Sequence, residues 1–260
     1  VFTAHGWGFA PGAPAARRPL VWASEALAAA LGGHIICVSH YDRRLAEASL
    51  IARLAPAGTV YCGLPSHAPQ AAPAREPPAV AMVARFFPQK DHALLLRAFA
   101  AAGHPQARLL LVGDGPGLPE CRRLVAGLGL GERVQFLGAR DDVPHILAGA
   151  QVFALASRYE GVPISVLEAM RAGLPVLATA VGGVAEAVAH GRTGLLTPPG
   201  DERALAAGLR LLLGQPHLRA AMGAAGRAAF LNSFTRERMI AQIGEIYEAL
   251  QAPSGAPVAI

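Results

Sequence analysis

The sequence predicts an α/β protein with a parallel sheet and helices on both faces. Two observations carry that reading. Between residues 80 and 179, short apolar runs of strand length alternate with stretches of helical pattern. This βαβα rhythm is what parallel strands joined by crossover helices require. The chain also has 260 residues, 53% of them hydrophobic and only 16% charged. That is enough apolar material for one large core or two smaller ones, and it excludes a disordered chain.

Taken in order, residues 1–4 read as a strand, 20–31 as a helix and 35–38 as a buried strand. Ser39 is placed to cap a following helix, and residues 59–62 form the next strand. The Pro- and Ala-rich run 65–78 reads as a linker between two units. The division is then 1–70, a linker at 71–79, a second unit at 80–231, a returning C-terminal helix at 232–252 and a poorly ordered tail at 253–260. Within the second unit, strands are predicted at 80–84, 108–112, 134–137, 152–155 and 175–179. Helices are predicted at 91–102, 118–128, 142–149, 165–172 and, beyond the unit, 235–250. Pro144 suits a first helical turn, and Gly173 a helix end.

The formal net charge is +5 and the pI about 9.6. A basic surface could meet nucleic acid, anionic lipid or a phosphorylated substrate. No Lys/Arg run and no aromatic-interleaved basic patch is present, so no nucleic-acid partner is expected. Cys37, Cys62 and Cys121 lack zinc or redox spacing and read as free thiols in a reducing compartment. The histidines show no ligand spacing, and no metal is expected. No apolar run reaches membrane-span length and no signal peptide is visible. A cytoplasmic location follows as the expectation, with peripheral contact at an anionic inner membrane permitted by the charge.

The most informative stretch is residues 160–170, Glu-Gly-Val-Pro-Ile-Ser-Val-Leu-Glu-Ala-Met. Gly161 would let the backbone approach a ligand and adopt unusual dihedrals. Pro163 stiffens the entry to a helix, and Ser165 reads as its N-cap. A helix start of that kind attracts phosphate. Glu160 and Glu168 flank it as two hydroxyl acceptors. Glu168 also fits a capping box with Ser165, whereas Glu160 has no such local job. Arg85 and Lys90 follow a predicted strand just before a helix, where parallel sheets collect ligands. Lys90 is the only lysine in the chain. The run from Gly113 to Gly117 is not a dinucleotide fingerprint, because Leu118 stands where the last glycine would be.

Five segments in order resemble the C-terminal domain of a retaining glycosyltransferase of the GT-B fold, family 4. They are Val83 to Asp91, Leu111 to Pro116, Val134 to Gly138, Glu160 to Met170 and Val181 to Glu186. The resemblance covers roughly residues 80–250, with a weaker match upstream. It implies a GT-B architecture of two Rossmann-like domains, the first of them truncated here. It implies a nucleotide-diphosphate sugar as donor and a glycan or lipid-linked acceptor, as in bacterial polysaccharide synthesis. By the same resemblance, Arg85 and Lys90 meet the donor diphosphate, Glu160 faces the sugar and Glu168 the ribose. Gly161, Val162, Pro163, Ile164 and Ser165 line the phosphate loop, Gly113 lies close to the nucleotide, and the loop from Gly138 to Arg140 borders the base. His5 resembles a histidine that faces the reaction centre across the cleft; a purely structural His5 stays open. The loop at Gly182 and Gly183 is expected to pack rather than bind.

The chain departs from the pattern in two ways. The first unit has only about 70 residues and lacks the Gly-rich loop that closes over donor and acceptor, short of a usual domain. Residues 60–63, Val-Tyr-Cys-Gly, replace an Asn-Gly turn. A nucleotide-sugar-binding piece without turnover is therefore a second reading. A glycoside hydrolase using Glu160 and Glu168 is a third, disfavoured because it has no need of Lys90 or a phosphate loop.

Overall fold

The computed structural model describes residues 1–11 and 15–251; the tail expected at 253–260 lies outside them. The first unit is a three-stranded parallel sheet, β1 (Phe2–Ala4), β2 (Ile35–Cys37) and β3 (Ala57–Thr59), in that spatial order. Helices α1 (Arg18–Gly32) and α2 (His40–Ala48) connect its strands. Ser39 caps α2 as expected: its Oγ accepts from the Asp42 N–H at 2.9 Å and donates to Asp42 Oδ2 at 2.5 Å. The third strand lies earlier than the predicted 59–62. Its partner β2 ends at Cys37, opposite Thr59, because Val38 already leads into the Ser39 cap. Past Thr59 there is no strand to pair with, and Tyr61 and Cys62 turn toward the second unit.

That unit holds six parallel strands: β4 (Ala79–Val83), β5 (Arg108–Val112), β6 (Val134–Gly138), β7 (Val152–Leu155), β8 (Val176–Thr179) and β9 (Gly194–Thr197). Their spatial order is β6-β5-β4-β7-β8-β9, the doubly wound arrangement of a dinucleotide-type sheet. Helices α3 (His92–Ala102), α4 (Leu118–Gly127), α5 (Val143–Ala148), α6 (Ile164–Arg171), α7 (Val184–Ala187), α8 (Glu202–Gly214) and α9 (Pro216–Ser233) complete it. Strands β7 and β8 are buried throughout, as their unbroken apolar runs demand. Among the described residues, no helix is long and apolar enough to cross a membrane.

Helix α10 (Arg236–Gln251) returns to the first unit. Leu64 and Thr235 form a parallel bridge, with the Leu64 N–H donating to Phe234 O at 3.0 Å and the Arg236 N–H to Leu64 O at 2.8 Å. The chain's two passages between the units are thus hydrogen-bonded to each other. The Pro-rich run 65–78 is not a free tether. Arg219, fully buried on α9, donates to the carbonyls of Pro73, Arg75, Leu212 and Leu213 and to Glu76. A buried guanidinium has five N–H groups to satisfy, and this strap supplies three of the five acceptors, two carbonyls and the Glu76 carboxylate.

Asp91 sits in the left-handed region at φ 45° and caps α3 through the Leu94 N–H. Behind it, the His92 ring is stacked on Phe86 with centroids 4.0 Å apart. Burial pushes His92 down to about 4 from 6.5, the neighbouring Lys90 adds to this, and a bond with the Ala84 backbone and the Asp91 charge oppose it. The unfolded chain therefore binds this proton between about pH 6.5 and 4 while the folded chain refuses it. Stability should be complete above pH 6.5 and fall as the pH drops toward 4, by up to about 3 kcal/mol from this residue. Urea midpoints at pH 7.5 and 5 check it: His92→Phe, which keeps a stacking ring, is expected to flatten the difference.

Candidate active site

Ligands in open α/β sheets collect beyond the carboxyl ends of the strands where the winding direction reverses. Here that point lies between β4 and β7. Two loops meet above it, one from β4 through the 3-10 turn Pro88–Lys90 and one from β7 to the start of α6. They are stitched together: the Arg158 N–H donates to Gln89 O and Gln89 Nε2 to Tyr159 O, both at 2.8 Å, and Arg158 Nε pairs with Asp91 Oδ2.

At the centre of that stitching, the Lys90 ammonium is paired with Glu160 Oε1. Only 17% of the Lys90 side chain and 7% of the Glu160 side chain reach solvent. Ser157 Oγ donates to the same Glu160 oxygen at 2.6 Å, and the Ser157 carbonyl accepts from Thr179 Oγ1. Glu160 is thus fixed from β4, β7 and β8 together. Arg85 is not part of this group. It is exposed, with its guanidinium 5.0 Å from the centre of the Phe87 ring. The predicted basic pair is split into one clamped cation and one at the rim.

Helix α6 begins one residue earlier than expected, and Ser165 is not its N-cap. Pro163 occupies the cap position with φ −68° and ψ 125°, and no side chain caps the helix. Proline already holds the extended geometry a cap residue needs, so Ser165 falls inside the first turn. The capping box with Glu168 is consequently absent: Glu168 lies too deep to reach back. Its carboxyl is half-buried, burial pushes its pKa up, and Arg171 three residues on opposes that. Val162 and Pro163 are buried and shape the loop from beneath, leaving Ile164 exposed and Ser165 half-exposed at the helix start.

Gly161 does not take the unusual dihedral foreseen for it, and its smallness serves the packing of the two units. It is not among the glycines with positive φ. A Cβ there would lie 3.2 Å from His5 O and 3.4 Å from Asp42 Oδ2, so its smallness lets the first unit close against this loop. His5, just past β1, and Glu160 line one cavity of about 230 Å³, together with Gly6, Trp7, Gly8, Asp42, Gln89 and Tyr159. His5 Nδ1 stands 4.0 Å from Cys62 Sγ. A second cavity of about 370 Å³, reaching Tyr41, Ala180 and Gly182, shares Tyr159 and Glu160 with the first.

Gly182 and Gly183 do pack, and against the central loop itself. Gly183 N–H donates to Gly161 O at 3.0 Å. Gly182 has φ +54°, and a Cβ there would lie 1.7 Å from Glu160 O. Gly182→Ala should therefore push the Glu160 loop out of place, and we expect a fall of about 2 kcal/mol or more together with lost activity. Thermal melts and activity assays of the variant check this.

Gly113 and Gly138 sit side by side at the ends of β5 and β6, the Gly113 N–H donating to Gly138 O at 2.8 Å. A Cβ at Gly113 would fall 2.1 Å from Ala84 O, so that glycine serves the β4 loop's passage. Gly138, at φ +70°, faces open space, and the neighbouring Arg140 is bound by both ends to Asp142. Among the described residues, no group of three or more His, Cys, Asp or Glu could hold a metal ion.

Four participants escaped the sequence reading. Gln89 acts through contacts made only when the two loops meet, and Ser157 through a bond to Glu160 in its own loop and one from Thr179 on β8. Asp42, 1% exposed, and Trp7, whose Nε1 donates to Asp42 O at 2.7 Å, form the far wall. Only Asp42 left a trace, in its position three residues after the Ser39 cap.

A doubly wound sheet with a clamped cation–carboxylate pair at its switch point, closed over by a smaller parallel sheet, is an α/β architecture of GT-B type. The chain belongs to the family Glycosyl transferases group 1, whose model matches residues 66–229. It is 38% identical over 141 residues to N-acetyl-alpha-D-glucosaminyl L-malate synthase of Bacillus anthracis, covering 54% of this chain and 37% of that one. It is 33% identical over 180 residues to a GDP-mannose-dependent alpha-(1-6)-phosphatidylinositol monomannoside mannosyltransferase of Mycolicibacterium smegmatis, covering 65% and 47%. The chain thus spans less than half the length of these curated relatives. Among solved structures it is similar to sucrose-phosphate synthase from Thermosynechococcus elongatus, with a TM-score of 0.86 and 30% identity over 96% of this chain and 67% of that one.

Proposed function

We propose that this chain carries the donor-binding machinery of a retaining glycosyltransferase, moving a hexosyl unit from a nucleotide-diphosphate sugar to a glycan or lipid-linked acceptor in bacterial glycoconjugate synthesis. The Lys90–Glu160 pair at the switch point, sharing a cavity with His5, carries this reading. An ammonium has three N–H donors. With one on Glu160, Lys90 keeps two for diphosphate oxygens, and Arg85 is free to swing from Phe87 onto the same group. The N–H groups at the start of α6 face the same charge. These fixed donors would stabilise the diphosphate as it gathers charge on leaving. Glu168 takes the ribose hydroxyls, and Glu160 and His5 hold the sugar from opposite sides. In a retaining transfer of this kind the acceptor attacks the face the diphosphate leaves. The protein's part is then positioning and charge stabilisation, without a metal.

The relative named for GDP-mannose supports a nucleotide-sugar donor. Donor binding without turnover is the second reading, favoured by the small three-stranded first unit. Incubation with UDP-, GDP- and ADP-sugars and a bacterial acceptor extract tests both. Labelled product that disappears in Glu160→Gln supports transfer. Nucleotide binding by calorimetry without product supports the second reading, and absence of nucleotide binding overturns both.

A further inference from the structure

Glu186, on α7 of the second unit, has its carboxylate in the first. Its Oε2 accepts from the His40 N–H at 2.8 Å and from Tyr61 OH at 2.9 Å; its Oε1 accepts from the Tyr41 N–H at 2.7 Å, with Arg44 3.8 Å away. The two backbone donors are orphan N–H groups at the start of α2, and each bond to a charged acceptor is of the stronger kind. Nothing in the assigned machinery uses this residue.

What Glu186 joins is specific. The turn of α2 it holds carries Asp42, and through Trp7 Nε1 on Asp42 O it reaches the wall that bears His5. Its own segment carries Gly182 and Gly183, which support the Glu160–Gly161 loop. We propose that Glu186 is a positioning residue: one carboxylate fixes the His5–Asp42 wall against the Glu160 loop and so sets the width of the sugar cavity. The consequence for turnover rests on the transferase reading above; the consequence for the walls does not. Nucleotide contacts lie in the second unit, so donor binding is expected to be spared.

Glu186→Gln keeps the shape and removes the charge. Hydrogen exchange on the full chain should show the His40 and Tyr41 amides about tenfold faster, with β4 and β7 unchanged. Turnover should fall about tenfold, with the nucleotide Kd within about twofold of the parent. Parent-like exchange overturns the proposal. So does faster exchange throughout β4 and β7 together with lost nucleotide binding, which would mark a general fold role. If the parent protein transfers no sugar, the transferase reading falls, and exchange confined to the α2 start still supports the clamp while unchanged exchange still overturns it.

Discussion

Glu160→Gln is expected to abolish sugar transfer, by about 10²–10³ in kcat, while leaving nucleotide binding near that of the parent. The amide still accepts from Ser157, which lies 2.6 Å from the carboxylate oxygen, so the loop keeps its anchor. What is lost is the negative charge that holds the Lys90 ammonium and that, on the proposed function, faces the sugar. The released ammonium, already 17% exposed, can turn to water. The stability loss should therefore be small, about 1 kcal/mol. Single-turnover rates with a labelled donor, set beside calorimetric nucleotide binding and a melt, check all three parts. A variant that turns over at the parent's rate would remove Glu160 from the mechanism.

Lys90→Ala should cost more. It strands a carboxylate with only 7% of its side chain in solvent and the Ser157 hydroxyl as its remaining side-chain donor. Breaking a buried pair from one side costs about 3–5 kcal/mol, because the abandoned charge stays desolvated. On the proposed function nucleotide affinity should fall as well, since a bound diphosphate would lose its clamped cation. The double variant Lys90→Ala with Glu160→Gln separates the effects: it should recover most of the stability and none of the transfer. A double-mutant cycle measured by urea denaturation gives the coupling directly, and additivity of the two changes would contradict the pairing.

Five of the six strands of the larger sheet are legible because their signals are local; β9 (Gly194–Thr197) is not among them. β5 and β7 fall on the predicted residues, each an apolar run closed off by neighbouring loop chemistry. β3 was misplaced because its end is set by where β2 stops, which no window around Thr59 contains. Lys90 and Glu160 were both named, 70 residues apart, but their union is a product of the reversal in winding order. The Ser165 cap fails because the chain is already extended at Pro163, two residues earlier, so the helix starts at Ile164 and serine's cap preference falls inside the first turn. Glu186 could not be found from its surroundings in sequence: its partners His40, Tyr41 and Tyr61 lie on the other unit, and side-chain type alone does not say which face closes on which.

The paired crossings at Leu64 and Thr235 constrain how this protein can move. Two strands of chain tied side by side act like a door pin, so the cavity cannot widen by the units drifting apart. Any opening is expected to swing about that line, with the strap held by Arg219 tying one side of it. Each swing carries His5 along an arc toward or away from Glu160. On the proposed function, admission of a sugar and alignment of His5 with Glu160 become the same mechanical event.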